Sequence, residues 1–444
     1  MALTGLDIYK LLPKTNCKVC GFATCLAFAM ALAQKRVSLD KCPHVTAQAK
    51  ASLESASQPP IKLVTIGTGE KRLEIGNETV MYRHEQKFFH PAGIGFVLED
   101  TISENVLGQK LSKINGLSFE RVGQTIGVNL VCLKNVSKNK DTFAKLAAKV
   151  ASSTNLNLAL CGEDADTLAE ALKICKDRRP LIIWDGNGSV NSFIKLAKEN
   201  NAPLAITCKT VEEAAELTDK VKQGGVEEIV INLKDKNLSD TIQDFTFIRR
   251  AALKKNFRPL GYSLMAFTEA AEPHAELAEA ISYVMKYAGL VIIKNTEKEF
   301  VFPLLVARQD IYSDPQKPVQ VESKIYEIGK VGKESPVLVT TNFSITYFTV
   351  AGEVEASKVP SYIVCCDSEG MSVLTAWAAE KFTPEKINET VRRLGVEKLV
   401  SHKKLVIPGY VSVMSGKLEE VTGWKISVGP REASGIPNYL RNWR

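Results

Sequence analysis

From Ile61 to about Ile325, short runs of β-branched and aliphatic residues alternate with stretches whose apolar positions recur every three or four residues. Side chains alternate across a strand and share one helix face at i, i+3 and i+4, so the two periods mark alternating strands and helices. Strands are predicted at Thr79–Tyr82, Ile126–Leu133, Leu156–Cys161, Pro180–Trp184, Leu204–Cys208, Glu228–Leu233, Leu260–Met265 and Leu290–Lys294. Eight such units in succession predict a TIM-type (β/α)8 barrel, with an open doubly wound sheet as the alternative. Ile61 to Ile75, two apolar runs around Gly67-Thr68-Gly69, is expected to form a hairpin closing the barrel floor. Its GxG is a far weaker phosphate signal than a turn signal.

Beyond Lys330 the rhythm shortens. Strands Val337–Thr340, Ser361–Cys366, Leu405–Ile407 and Lys425–Val428 are separated by helices Ser344–Val354, Met371–Ala379, Pro384–Leu394 and Val411–Val421. This predicts a small Rossmann-like α/β domain with a parallel sheet, whose ligand would lie beyond the carboxyl ends of the strands. The loops there, 340–342, 367–372, 408–410 and 429–435, are rich in Gly, Ser and Thr. They offer backbone amides and small side chains to a polar-edged ligand, although good turns use the same residues.

The N-terminal segment follows neither pattern. Thr4 can cap a short helix that Pro13 stops, a second helix is predicted over Thr24 to Arg36, and Thr46 to Pro60 is a polar, Ala/Ser-rich linker ending in Pro59-Pro60. Three domains are therefore expected: 1–58, 59–325 and 326–444.

Composition adds mainly exclusions. At 444 residues the chain can bury a sizeable core, and its formal charge of +7 is dispersed, with no basic run of five or six. Nucleic acid is not an expected partner. The apolar run Cys25 to Ala33 is too short to span a bilayer and lacks the flanks of a signal peptide, so no membrane and a cytoplasmic location are expected.

The chemistry concentrates in Cys17, Cys20 and Cys25, a CxxCxxxxC run, with Cys42-Pro43 after sixteen intervening residues. Four thiolates held that close repel one another unless a metal neutralises them. Structural zinc usually takes two CxxC pairs, and only Cys17 and Cys20 form one, so a 4Fe-4S cluster is the favoured reading over zinc or disulfides. Cys25 falls in the first turn of the second helix, whose dipole points positive charge at the cluster. Gly21 permits close backbone approach. His44 is not counted as a ligand, because a mixed His/Cys site needs two histidines. After the barrel strands, Glu163, Asp185, Gly186, Asn187, Gly188 and Lys209 occupy positions where barrels place chemistry, yet no carboxylate pair or His/acid pair stands out among them.

The stretch LPKTNCKVCGFATCLAFAMALA followed by KCPH, and more specifically VLVTTNFSITYFTVAGEVE, CCDSEGMSVLTAWAAEKF and IPGYVSVMSGKLEEVTGWKISVGPREASGIP, resemble the large subunits of corrinoid iron–sulfur proteins of the anaerobic acetyl-CoA (Wood–Ljungdahl) pathway. The resemblance spans the whole chain. It implies a methyl carrier whose C-terminal domain holds a corrinoid at an interface with a separate small subunit, as a heterodimer. By that resemblance Co(I) accepts a methyl group from methyltetrahydrofolate with the help of a methyltransferase and passes it to the nickel centre of acetyl-CoA synthase. The 4Fe-4S cluster, fed by a reductant or reductive activator, returns Co(II) to Co(I). Such a chain works with partner enzymes and needs no acid, base or nucleophile of its own, since the cofactor carries the chemistry. The alternative is an electron-transfer subunit whose last domain binds a flavin or nucleotide.

Within this resemblance the corrinoid contacts are expected at Thr340, Thr346, Gly370, Met371, Ser372, Val373 and Ala433, with Thr341, Leu374, Gly409 and Arg431 beside them, all at one end of the C-terminal sheet. Many cobalamin domains supply a cobalt-binding histidine through DxHxxG, and none of His44, His84, His90, His274 and His402 fits that pattern. A base-off corrinoid without a protein histidine ligand is the expectation.

Overall fold

A computed structural model of the chain describes residues 5–33, 36–46, 49–50, 53 and 59–443. Thr4 and most of the expected linker lie outside these. The chain divides into two compact units, Met1–Ser118 with Gly127–Tyr312, and Phe119–Ile126 with Ser313–Arg444.

In the first unit β1 (Val64–Ile66) and β2 (Leu73–Ile75) form the expected antiparallel hairpin. Then β3 (Gly93–Glu99) is followed in the chain by a second hairpin, β4 (Ser118–Arg121) and β5 (Gln124–Gly127), which the periodicity missed and whose residues 119–126 belong to the second unit. Val122 and Gly123 at its tip both have positive φ (53° and 71°), the geometry of a turn that matches strand twist. Seven more strands follow: β6 (Leu130–Lys134), β7 (Asn157–Gly162), β8 (Leu181–Trp184), β9 (Leu204–Cys208), β10 (Ile229–Leu233), β11 (Ser263–Phe267) and β12 (Ala288–Ile293). With β3 they close into an eight-stranded parallel barrel, β12 pairing back onto β3. The barrel expectation holds, and the open-sheet alternative falls. Val64, Ile66, Leu73 and Ile75 of the hairpin pack into one core with Leu130, Ala159, Leu181, Ala205, Val230, Met265 and Leu290 from the strand interiors.

The first barrel strand is not Thr79–Tyr82 as expected but Gly93–Glu99. The 76–92 segment instead crosses the amino-terminal end of the barrel and satisfies its backbone through side chains. The Val80 carbonyl accepts from Arg249 Nη2 at 2.7 Å, and Glu78 Oε1 accepts the N–H groups of Phe89 (2.8 Å) and His90 (3.3 Å). Glu78 also pairs with Arg249 at 3.4 Å, both side chains less than a tenth exposed. Burial nevertheless dominates and raises the Glu78 carboxyl above its ordinary range. The true strand was obscured by its glycines, which strands normally avoid. A Cβ on Gly93 would lie 2.6 Å from Leu73 Cδ2, and one on Gly95 2.8 Å from Ile292 Cδ1 and Leu130 Cδ2. Only glycine lets the floor hairpin and the neighbouring strands come this close.

The second unit holds β13 (Ile325–Ile328), β14 (Val337–Thr341), β15 (Ser361–Cys366), β16 (Lys404–Ile407) and β17 (Lys425–Val428) in the order β13-β15-β14-β16-β17. The last four are parallel; β13 is an antiparallel edge strand that the sequence reading did not find. Alternate residues serve two cores. Val337, Val339, Val364, Leu405 and Ile407 face the helices Pro384–Arg393 and Ser415–Thr422, whereas Leu338, Ile363 and Val406 face Ser344–Ser357 and Ile436–Arg441. The helix expected over Val411–Val421 is broken: Gly409–Met414 is a 3₁₀ turn with Val411 at non-helical angles, and regular helix begins at Ser415. No helix among the described residues is long and apolar enough to cross a membrane.

Two substitutions test the packing. Gly95→Val should lower unfolding stability by about 1–3 kcal/mol through overpacking, while Gly108→Ala, on an open helix surface, should raise it by roughly 0.5–1 kcal/mol; urea titration measures both. Asp100, 6 % exposed, accepts the Val136 and Ser137 N–H groups (2.9 Å each), the Ser137 hydroxyl (2.6 Å) and the Asn135 amide (2.7 Å). Burial pushes its carboxyl up, but the combined donors outweigh it and hold it below the ordinary value. A depressed carboxyl stabilises above its unfolded pKa and loses that contribution as pH falls through the folded one. The penalty of Asp100→Asn should therefore be full at neutral pH and shrink below about pH 4, read as converging urea midpoints.

Candidate functional site

The cysteines are positioned by a loop between two short helices, α1 (Gly5–Leu11) and α2 (Cys25–Ala33). Lys14, Asn16 and Lys18 in that loop all have left-handed φ (58°, 49° and 65°), each costing about 1–2 kcal/mol for a residue with a Cβ. Such strain persists only where surrounding interactions enforce it. Here Asn16 Oδ1 accepts the Cys25 N–H at 2.8 Å while the Asn16 N–H points to Cys25 Sγ at 3.4 Å. Thr24 caps α2, its hydroxyl oxygen accepting the Ala27 N–H at 3.1 Å. Cys25 thus sits at the positive end of α2, as expected, although the described helix stops at Ala33.

Cys25 and Cys42 are buried in one small core with Ile8, Leu12 and Phe28, and Cys20 packs against it; Cys17 is exposed on the loop. The Val19 N–H, helped by the Thr15 hydroxyl, holds the Cys17 thiol below its ordinary value, favouring the thiolate. Gly21, at φ 85°, has nothing within 4 Å of where a Cβ would stand. His44 is exposed. Among the described residues no three His, Cys, Asp or Glu side chains converge as they would around one ion. A cluster that binds its thiolates to separate irons makes no such demand.

A second site lies at the carboxyl end of the C-terminal sheet. Strand order reverses there between β14 and β16, the switch point at which such sheets hold ligands. A hollow of about 340 Å³ opens at that point. Its walls are mostly aliphatic, with Leu338, Val406 and Ile407 from the sheet and Ile345 and Val350 from the helix Ser344–Ser357. Of the expected contacts, Thr340, Thr346, Ser372, Val373, Leu374, Arg431 and Ala433 all line it. Thr340 is 2 % exposed, and its hydroxyl has no hydrogen-bond partner. A buried hydroxyl left unpaired costs about 1–3 kcal/mol; the Thr341 and Ser344 hydroxyls share that state, but of the three only Thr340 lines the hollow.

Thr341, Gly370, Met371 and Gly409 do not line the hollow; they support it. Thr341 points away from Thr340 on the strand and is fully buried. The Gly370 N–H donates to Asn342 Oδ1 at 3.2 Å, an oxygen that also accepts the Ser368 N–H and hydroxyl at 2.9 Å each. Asn342, absent from the expected set, thereby fixes the 367–372 loop. Met371 packs on the core. A Cβ on Gly409 would lie 2.6 Å from the Gly429 carbonyl oxygen and 2.8 Å from the Arg431 nitrogen, so its lack of a side chain lets two loops meet as one wall. Sequence reading missed Ile345, Thr349, Val350 and Tyr410. Ile345 and Val350 were legible as apolar positions on a helix whose polar face should be wet, and Ile345 is 67 % exposed. No histidine lines the hollow. His402 precedes β16 at the opposite end of the sheet, its Nε2 3.0 Å from the Ser335 carbonyl oxygen.

At the barrel's carboxyl end, several residues singled out from sequence are taken up by loop structure. Glu163 pairs with Lys138 at 2.5 Å, Lys209 with Asp235 at 3.0 Å, and Asp185 Oδ1 accepts the Asn187 N–H at 2.9 Å.

A family described as CO dehydrogenase/acetyl-CoA synthase delta subunit matches residues 63–440, and an Fe-S cluster family matches residues 12–44. The corrinoid/iron-sulfur protein large subunit of Moorella thermoacetica is 46% identical over 441 residues, covering 99% of each chain. The acetyl-CoA decarbonylase/synthase complex subunit gamma of Methanothermobacter thermautotrophicus is 33% identical over 453 residues, again covering 99% of each. Among solved structures, dihydropteroate synthase from Vibrio fischeri aligns over 57% of this chain and 100% of its own, with a TM-score of 0.41 and 13% identity. A full-length match at this identity, with the cysteine module and the C-terminal hollow both inside it, places the chain in the family of corrinoid/iron-sulfur protein large subunits and their archaeal gamma-subunit counterparts.

Proposed function

We propose that the chain is the methyl-carrying, corrinoid- and 4Fe-4S-binding subunit of an acetyl-CoA-forming system. The observation that carries this is the unpartnered Thr340 hydroxyl inside an aliphatic hollow at the switch point of a Rossmann-like sheet. Aliphatic walls suit the apolar ring edges and methyl groups of a corrinoid, and few hydroxyls are needed to orient it. A corrinoid held there would supply the methyl-transfer chemistry, between methyltetrahydrofolate and the nickel centre of acetyl-CoA synthase, and a cluster held by the cysteines would supply the electron that restores Co(I).

The chain's own residues bind and orient. Thr340, Thr346, Ser372 and Arg431 present donors, while Ile345, Val373, Leu374 and Ala433 supply the wall. Asn342 and Gly409 hold the loops that carry them. No histidine lines the hollow, so the chain would offer no imidazole to a corrinoid bound there, a setting that would ease its reduction. Cys17, Cys20, Cys25 and Cys42 would hold the cluster, and the Asn16 N–H, 3.4 Å from Cys25 Sγ, would support the charge on that thiolate. Ile345, Phe348, Leu374 and Tyr410 leave an exposed apolar rim around the hollow, 42 to 67 % exposed, suited to the small subunit of a heterodimer. A methyltransferase, acetyl-CoA synthase and a reductive activator complete the set of partners. A cytoplasmic location fits ten cysteines that are all free.

Cys20→Ser should remove the low-potential iron signal in electron paramagnetic resonance yet leave corrinoid absorption intact; loss of both would refute two independent modules. Thr340→Val should act in opposite directions on the two states. It removes an orphaned hydroxyl, so the corrinoid-free protein should gain about 1 kcal/mol in stability, while corrinoid retention through gel filtration falls several-fold. Unchanged retention would remove Thr340 from the site.

A further inference from the structure

The inward rows of the barrel change chemistry along its axis. Cys132, Ile183, Ala205, Val230 and Ile292 belong to the apolar interior. Two residues later, where side chains face inward again, the same rows read Lys134, Asp185, Thr207, Asn232 and Lys294. All of these line a cavity of about 850 Å³ at the carboxyl end, within the range of small-molecule sites and at the end of the barrel where ligands bind.

Packing alone does not account for this layer. Asn232 is 4 % exposed; its Nδ2 donates to Thr207 Oγ1 at 3.0 Å, but its Oδ1 is buried with no partner. A buried amide oxygen left unpaired is costly unless a ligand donates to it. Lys134 forms no ion pair among the described residues. Lys234 Nζ donates to the Asp185 carbonyl at 2.8 Å, a neutral acceptor, and forms no ion pair within 4 Å among the described residues, although the Asp235 carboxylate feels its charge. Asp235 at the rim is already engaged by Lys209 at 3.0 Å. Phe267, half-buried on the wall, offers a flat apolar face.

The mouth is also held rigid. Besides Asp100, Glu276 accepts the Thr268 hydroxyl (2.6 Å) and the Lys294 and Asn295 N–H groups (2.7 and 3.1 Å). Glu279 accepts the Glu269 and Ala270 N–H groups at 3.0 Å each and the Tyr283 hydroxyl at 2.7 Å. Three buried carboxylates thus spend their acceptor capacity on the loops around the cavity, the kind of support that keeps a binding site in shape without its ligand.

We propose that the barrel carries a binding site of its own, separate from the corrinoid hollow, for a small flat molecule bearing a carboxylate and an N–H donor. The N–H meets Asn232 Oδ1, the carboxylate meets Lys134 and Lys234, and the ring lies against Phe267.

Calorimetric titration of the full-length protein, carrying its cofactors, with benzoylglycine, glutarate and inorganic phosphate tests this. Benzoylglycine supplies ring, N–H and carboxylate; glutarate and phosphate supply charge alone. Saturable binding of one benzoylglycine per chain, tighter than either anion and weakened about tenfold by Lys134→Gln, is expected. Asn232→Leu should weaken binding similarly without lowering the melting temperature; should that variant not fold, Lys134→Gln decides. No saturable benzoylglycine binding, phosphate binding as tightly, or a Lys134→Gln protein that binds like wild type would each overturn the proposal.

Discussion

Closure of the barrel between β12 and β3 is the constraint on which the first unit depends. A parallel sheet with open edges leaves N–H and C=O groups unpaired, and only the last pairing removes both edges together. That pairing requires β3 to approach Leu290 and Ile292 on one side and Leu130 on the other while the floor hairpin presses Leu73 upward. Glycine at 93 and 95 admits all three contacts. The residues that make the strand hard to recognise are those that let the barrel close.

Once closed, a barrel imposes a simple rule on its interior: inward positions must be apolar or have partners. Exceptions therefore carry information. Glu78 and Arg249 at the amino-terminal end are explained by each other and by the backbone they hold. Asp100, Glu276 and Glu279 are explained by the loops they fix. Asn135 Oδ1, Asn232 Oδ1 and Ser263 Oγ in the first unit, and the Thr340, Thr341 and Ser344 hydroxyls in the second, are buried without a partner among the described residues; of these only Asn232 lines the cavity at the barrel's carboxyl end and only Thr340 lines the hollow. Asn232 and Thr340 differ in surroundings. Thr340 faces aliphatic walls suited to a large, mostly apolar cofactor, whereas Asn232 faces lysines and a phenyl ring.

How much was legible in the sequence follows from the range of the interactions involved. Strands β7 to β10 and β15 were readable because each is a local run of apolar residues buried on both faces, a pattern that needs no knowledge of neighbours. β3 was not, because the reason for its glycines lies in Leu73, Leu130 and Ile292, distant in sequence. The hollow was readable to the extent that it is made of strand-end loops: Thr340, Ser372 and Arg431 follow from position alone. Gly370 and Gly409 were also expected from position, and the folded chain gives them a loop-holding role instead of a place on the wall, since turn residues near a site look alike whether they line it or hold the loop that does. Ile345 and Val350 were missed because an apolar residue on a helix is read as core by default; Val350 does pack against the core while also lining the hollow, and only the folded chain shows that Ile345 is 67 % exposed.

The cysteine loop and the hollow solve opposite problems. A cluster needs its thiolates fixed and its surrounding N–H groups aimed before metal arrives, and the left-handed Lys14, Asn16 and Lys18 store the backbone strain that such preorganisation costs. For the proposed function, a cofactor in the hollow would instead have to be reachable by several partners in turn, which favours an apolar hollow with an exposed rim over an enclosed pocket. Affinity then has to come from a few well-placed groups, because burial on one face alone supplies only part of the apolar contact. An unpaired hydroxyl at the base of the hollow meets that need: its desolvation cost is borne by the folded chain beforehand, so a ligand acceptor gains the full hydrogen bond on arrival.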